Sequence, residues 1–252
     1  MASNNLTLKQ PGFKTLTEKL ELHVPLIGFY DSPSAEPFEP IVKPDRKGHN
    51  CIFSFYEQWL EGKTLHLTKQ KYGCGGAGHW ICGIPGRTRE QYLDFLVITE
   101  GLKSSYEIMN KWLDSATPYP QEYENIFIGP LKAEQYAYLK TITFFVNPDQ
   151  LSALAIGAEY NRSPEDPPGV IAPFGSGCSQ LIGHFKDINV ASAAIGMTDI
   201  AARKHIPANI LAFTVTKPMF EELCSLGEKS FLFKSFWKEL KQRRKLGKSS
   251  EF

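Results

Sequence analysis

Three cysteines in this chain lie where bare backbone N–H groups are plentiful. Cys74 sits in Tyr72-Gly73-Cys74-Gly75-Gly76-Ala77-Gly78, and Cys178 ends Pro173-Phe174-Gly175-Ser176-Gly177-Cys178. Cys51 opens an apolar helical pattern. Glycine lets the backbone approach a neighbour closely and adopt φ > 0. A thiol among free N–H groups, or at a helix start, ionises more readily, and the thiolate is both a metal ligand and a nucleophile.

Three chemistries follow from these residues. The first is metal binding by Cys51, Cys74 and Cys178, as an iron–sulfur cluster with one iron left open or as a three-thiolate site for another thiophilic metal. His49, His79 or water would supply the fourth ligand of the latter. Gly73, Gly75 and Gly76, with Gly175, Ser176 and Gly177, would line the cofactor and offer hydrogen bonds to sulfur. A cluster with an open iron can polarise a substrate oxygen or pass single electrons. The second chemistry is a cofactor-free enzyme whose nucleophile is Cys178, activated at the start of a helix containing Leu181 and Ile182, with His184 or His79 as base. The third is non-catalytic binding of a small molecule or anion by the Gly175-Ser176-Gly177 run, capped by Ser176 or Ser179. That run is neither a Walker A loop nor a GxGxxG fingerprint.

Spacing alone carries little. No CxxC pair occurs, and Cys82 and Cys224 sit in apolar surroundings where cysteine behaves as a small hydrophobe. No HxH or HExxH occurs, which argues against a histidine zinc site. Asp94 and Glu100 are candidates for acid–base or ion pairing, and Asp199 with Arg203 for an i, i+4 salt bridge.

The 252 residues suffice for one large unit or two small ones, and 42% hydrophobic residues can fill a sizeable core. A formal net charge of +1 argues against wholesale attraction to nucleic acid. No stretch approaches the length of a membrane span, and the first residues lack the pattern of a signal peptide. A cytoplasmic location is therefore expected, with five cysteines reduced or bound rather than paired.

The elements that must position these cysteines can be read along the chain. A short helix carries Leu16 and Leu20, and Val24–Tyr30 reads as a strand whose proline suits an edge or a strand start. Residues 31–48, with four prolines, read as a long functional loop. Asn50 is the expected N-cap of a helix bearing Ile52, Phe55, Tyr56 and Trp59, which Gly62 ends. Thr64–Thr68 alternates as a strand. Thr88 and Ser104 are expected to cap helices over 89–97 and 105–114. Leu139–Val146 is the strongest strand, and Asn147-Pro148 starts a helix. Residues 163–169 form a loop, Val170-Ile171-Ala172 lead into the Gly-Ser-Gly-Cys turn, and two further strands are expected at 193–197 and 210–215. Helices then run from Pro218 to residue 226 and over about 230–246. The last is apolar along Phe233, Phe236, Trp237 and Leu240 and strongly basic at its end. It reads as a docked helix with a solvated tail, the alternative being an acidic membrane surface or partner.

Several motifs together resemble the DUF169 family, a group of uncharacterised bacterial and archaeal proteins. They are His49-Asn50-Cys51-Ile52-Phe53-Ser54-Phe55, Tyr72-Gly73-Cys74-Gly75-Gly76, Phe144-Phe145-Val146-Asn147-Pro148-Asp149-Gln150-Leu151, Ala172-Pro173-Phe174-Gly175-Ser176-Gly177-Cys178 and Ile210-Leu211-Ala212-Phe213-Thr214-Val215. The likeness runs from about residue 15 to residue 225. It implies that Cys51, Cys74 and Cys178 are the family's cysteine positions, whereas Cys82 and Cys224 are not, and it carries over no activity. The expected architecture is α+β, a mixed or antiparallel sheet with helices packed on it. It would form a single domain over residues 1–252, or two lobes meeting near the cysteines, with residues 228–252 a C-terminal basic helix and tail. The expected function is cluster or thiophilic-metal binding linked to redox chemistry, with substrate and electron-transfer partner undetermined.

Overall fold

Strands that are apolar on both sides build a sheet that must be covered twice. The computed structural model describes residues 10–44, 50–84, 86–182, 185 and 187–245. Among them are eight strands: β1 (Ile27–Ser32), β2 (Ile41–Val42), β3 (Thr64–Leu67), β4 (Asn125–Pro130), β5 (Leu139–Val146), β6 (Val170–Ile171), β7 (Ala193–Gly196) and β8 (Leu211–Thr216). They form one sheet in the order β2-β3-β4-β1-β5-β8-β7-β6. The β2–β3 and β6–β7 pairs are parallel and the others antiparallel. The α+β class with a mixed sheet is thus realised.

The helices are α1 (Phe13–Leu20), α2 (Tyr56–Leu60), α3 (Gly75–Trp80), α4 (Arg89–Leu93), α5 (Tyr106–Ser115), α6 (Pro148–Glu159), α7 (Ile200–Arg203), α8 (Lys217–Cys224) and α9 (Ser235–Lys245). Alternation along the strands sorts them into two layers. On β5, Ile142, Phe144 and Val146 join a core covered by α1, α6, α8 and α9, while Phe145 joins a second core under α2, α3 and α7. Fully burying a side chain such as Phe144 contributes about 1.5–3 kcal/mol. Cys51, Cys74 and Cys178 all lie on the second face, and Cys224 lies on the first.

Local signals decide several helix ends. Thr88 and Asn147 each form a reciprocal capping box, with Gln91 and Gln150. Ser105, one residue beyond the expected Ser104, caps α5. The helix expected over 89–97 instead changes after Leu93 into a π-helical turn, Asp94–Thr99.

Of the two places that suited Pro25, an edge or a strand start, the second holds: Pro25 precedes the paired residues of the central β1 and removes no ladder hydrogen bond. Other expectations change. Asn50 does not cap a helix: Ile52–Phe55 is a 3-10 turn leading into α2, and the buried Asn50 Oδ1 has no partner among the described residues. The segment 31–48, expected to be a loop, carries the end of β1 and the short β2 in its described part. Asp31 is buried and accepts from the Tyr119 hydroxyl and the N–H groups of Glu122 and Tyr123, and Phe38 stacks between Tyr30 and Phe127. Residues 45–49, including His49, lie outside the described residues, as do His184 and residues 246–252.

The C-terminal helix α9 docks. Trp237 is buried and donates its Nε1–H to the Lys19 carbonyl at 2.9 Å, while Arg244 makes a bidentate pair with Asp149. No helix among the described residues is long and apolar enough to cross a membrane.

Candidate functional site

Three segments far apart in sequence meet on the second face of the sheet, and a glycine stands at each crossing. Gly73 has φ +77°, a conformation that side chains resist, and a Cβ there would lie 2.5 Å from the Asn50 carbonyl oxygen. Its close approach sets the turn bearing Cys74 against the residue before Cys51. A Cβ on Gly177 would meet the Phe53 ring at 2.9 Å and the Ala202 Cβ at 3.1 Å. The Cys178 turn therefore wedges between the Cys51 segment and α7. A Cβ on Gly76 would sit 3.4 Å from Cys178 Sγ, 3.7 Å from Cys74 Sγ and 4.0 Å from Ser176 Oγ, so two sulfurs border one small space.

Each thiol is held differently. Cys51 precedes the 3-10 turn, its carbonyl accepting from both the N–H and the hydroxyl of Ser54. Burial pushes its thiol up to about 11, and negative charge on Cys74 or Asp199 adds to this, against an N–H from Phe53 and the positive Lys204. Cys74 stands at the start of α3, half-buried, with its carbonyl accepting from Gly78. Cys178 is 5% exposed. Burial and then the charges of Cys74, Cys51 and Asp199 push its thiol well up, with only the Ser176 hydroxyl, 3.2 Å away, favouring the thiolate. Charge on the neighbouring sulfurs thus bears on Cys51 and Cys178. Among the described residues, however, no three His, Cys, Asp or Glu side chains form a group placed to hold a metal ion as they stand.

The remaining cysteines are packing residues. Cys82 is fully buried, and burial raises its thiol to about 12. Cys224 is likewise raised to about 12, by burial and then by Glu221, on the opposite side of the sheet. His79 packs its ring against Trp80 and, at 5.5 Å, against Tyr92, and burial lowers its pKa.

The alternative chemistries find less here. Among the described residues Cys178 is followed by the short 3-10 turn Ser179–Leu181, and burial disfavours its thiolate. In the Gly-Ser-Gly run the Gly177 N–H is taken by Asp199, and just beyond it the N–H groups of Ser179 and Gln180 donate to the Ser176 carbonyl.

Asp199, read from sequence as an ion-pair partner of Arg203, has another role. Its Oδ2 accepts from Gly177 N–H at 2.8 Å and its Oδ1 from Ala201 N–H at 2.9 Å. The Arg203 guanidinium donates instead to the carbonyls of Ile210 and Ala208. The N-cap signature of an Asp before a short helix was the available signal.

Two further groups interact with the site: Tyr92, which nothing in the sequence singled out, and Glu100, read there as an acid–base or ion-pair candidate. Tyr92 lies near enough for charge on Cys178 and Cys74 to add to the effect of burial in raising its hydroxyl pKa. Glu100 ends the π-helical turn, and its carboxyl is raised by burial and then by Asp199, against Arg87. Asp94, its expected companion, accepts instead from the Tyr106 hydroxyl.

A family model described as DUF169, Uncharacterised ArCR, matches residues 15–225. No curated protein and no solved structure matches the chain.

Proposed function

Because the chain belongs to the DUF169 family, whose description assigns no activity, its function must be argued from the site, and we propose that Cys51, Cys74 and Cys178 bind an iron–sulfur cluster. What supports this reading is that the Cys74 and Cys178 sulfurs border one space at Gly76, while the segment of Cys51 packs against both of their turns at Gly73 and Gly177. Cys178, buried and disfavoured as a thiolate, is a poor candidate for ionising alone. A cation among the sulfurs removes that penalty, since coordination deprotonates a thiol outright.

A cluster and a single ion ask different geometries of the three thiolates. One zinc ion would draw each thiolate to about 2.3 Å from a single centre. In a cluster each cysteine binds a different iron, so its sulfurs stand farther apart. Three protein ligands leave one iron accessible, which supplies Lewis acidity toward a substrate oxygen or a route for single electrons.

The protein's own share would be support and enclosure. Ser176 donates a hydrogen bond toward Cys178, Phe53 and Ala202 shield its turn, and the glycines leave room for inorganic sulfide beside the thiols.

Anaerobically prepared protein is expected to be brown, absorbing broadly near the visible blue, with stoichiometric iron and sulfide. Serine at Cys51, Cys74 or Cys178 should each lower iron content severalfold, while alanine at Cys82 or Cys224 should not. Colourless, iron-free protein with three freely titrating thiols, after anaerobic reconstitution with iron and sulfide, would refute the reading.

A further inference from the structure

The Cys178 turn is held from one neighbouring segment by two separate fastenings. Asp199 Oδ2 accepts from Gly177 N–H at 2.8 Å, directly before the cysteine. Gln180, two residues after it, donates from Nε2 to the Thr198 hydroxyl at 2.8 Å and to the Pro173 carbonyl at 3.0 Å. The turn is therefore clamped on both sides of the thiol by consecutive residues, Thr198 and Asp199.

The clamp is backed by an unusual backbone. Met197, buried at 1% exposure, has φ +60°, which a non-glycine side chain adopts only when its surroundings hold it there. That reversal ends β7 and turns Thr198 and Asp199 toward the cysteine turn. Asp199 Oδ1 also accepts from Ala201 N–H, so both carboxylate oxygens are committed and the group is fixed.

We propose that Asp199 is a positioning residue for the cysteine site: with the Thr198 hydroxyl acting through Gln180, its carboxylate fastens the Gly177–Cys178 turn and keeps the Cys178 thiol packed away from solvent. The inference concerns the turn itself and does not rest on the cluster reading.

The test is made on the full chain in metal-free form, with N-ethylmaleimide labelling of Cys178 followed relative to Cys82 by mass spectrometry. Asp199→Ala should raise the Cys178 rate severalfold against Cys82, and Asp199→Asn, which keeps one acceptor oxygen, should raise it less. Equal acceleration at both cysteines would mean global loosening and would overturn the clamp, as would no acceleration.

Discussion

Gly73→Ala and Gly75→Ala, two residues apart in one turn, should behave in opposite ways. At Gly73 the backbone is left-handed, with φ +77°, and an added Cβ would stand 2.5 Å from the Asn50 carbonyl oxygen. The left-handed conformation costs an alanine about 1–2 kcal/mol. Forcing a methyl against backbone, which cannot swing aside, typically costs a further 1–3 kcal/mol or so. A total of about 3 kcal/mol lowers the melting temperature of a chain this size by roughly 6–12 °C.

Gly75 meets nothing within 4 Å and begins α3. Alanine there should be neutral or stabilise by up to about 1 kcal/mol. Thermal unfolding of the reduced, metal-free proteins by circular dichroism reads the difference, and iron content after reconstitution reads its effect on the site. Gly73→Ala should lose iron, because Cys74 must withdraw from Cys51. If the two variants melt within about 2 °C of each other, the contact with Asn50 does not exist in solution, and the pairing of the Cys51 and Cys74 segments falls with it.

Trp237→Ala should destabilise by about 3–5 kcal/mol, since Trp237 is buried and its Nε1–H is bonded to Lys19. Deleting residues 241–252 removes the exposed pairs of Lys241 and Lys245 with Glu21 and of Arg244 with Asp149, each worth about 0–1 kcal/mol. Melting should therefore drop far more for the substitution than for the truncation, with iron content per folded molecule unchanged in both, and the reverse order would contradict the docking of α9. His66 gives a pH dependence. Its Nε2–H donates to Asn125 Oδ1 at 2.9 Å, its Nδ1 has no partner among the described residues, and burial lowers its pKa below 6.5, partly offset by Asn125. The unfolded chain thus binds a proton before the folded one does, and His66 contributes stability above pH 6.5 that is lost as pH falls toward its lower folded value. Urea unfolding at pH 7.5 and pH 5.5 should show a larger loss for the wild type than for His66→Gln, and equal losses would exclude His66 as the cause.

What was legible in the sequence is what a single turn of chain can determine. The Asn147 and Thr88 caps, the end of α2 at Gly62 and the strand β5 depend on neighbours a few residues away, and each formed. The glycines around Cys74 and Cys178 likewise marked a place of close approach before any contact was known. Elements whose signal is non-local were harder to read. β4 is buried on both faces along Ile126–Gly129, which erases period-two alternation, and β2 is two residues long. Asn50 had the composition of a cap, but the turn that follows starts one residue later and leaves its side chain unused.

The meeting of the three cysteine-bearing segments was decided by tertiary structure alone. The order β1-β5-β8-β7 brings the end of β7 beside the Cys178 turn, so the Gly177 N–H finds its acceptor on Asp199, twenty-two residues on. Propensity and capping act through a few bonds, whereas strand order is set by the burial of two apolar faces at once, a property of the whole chain. The sequence could thus nominate each thiol by its neighbours, and only sheet pairing could make them neighbours of one another.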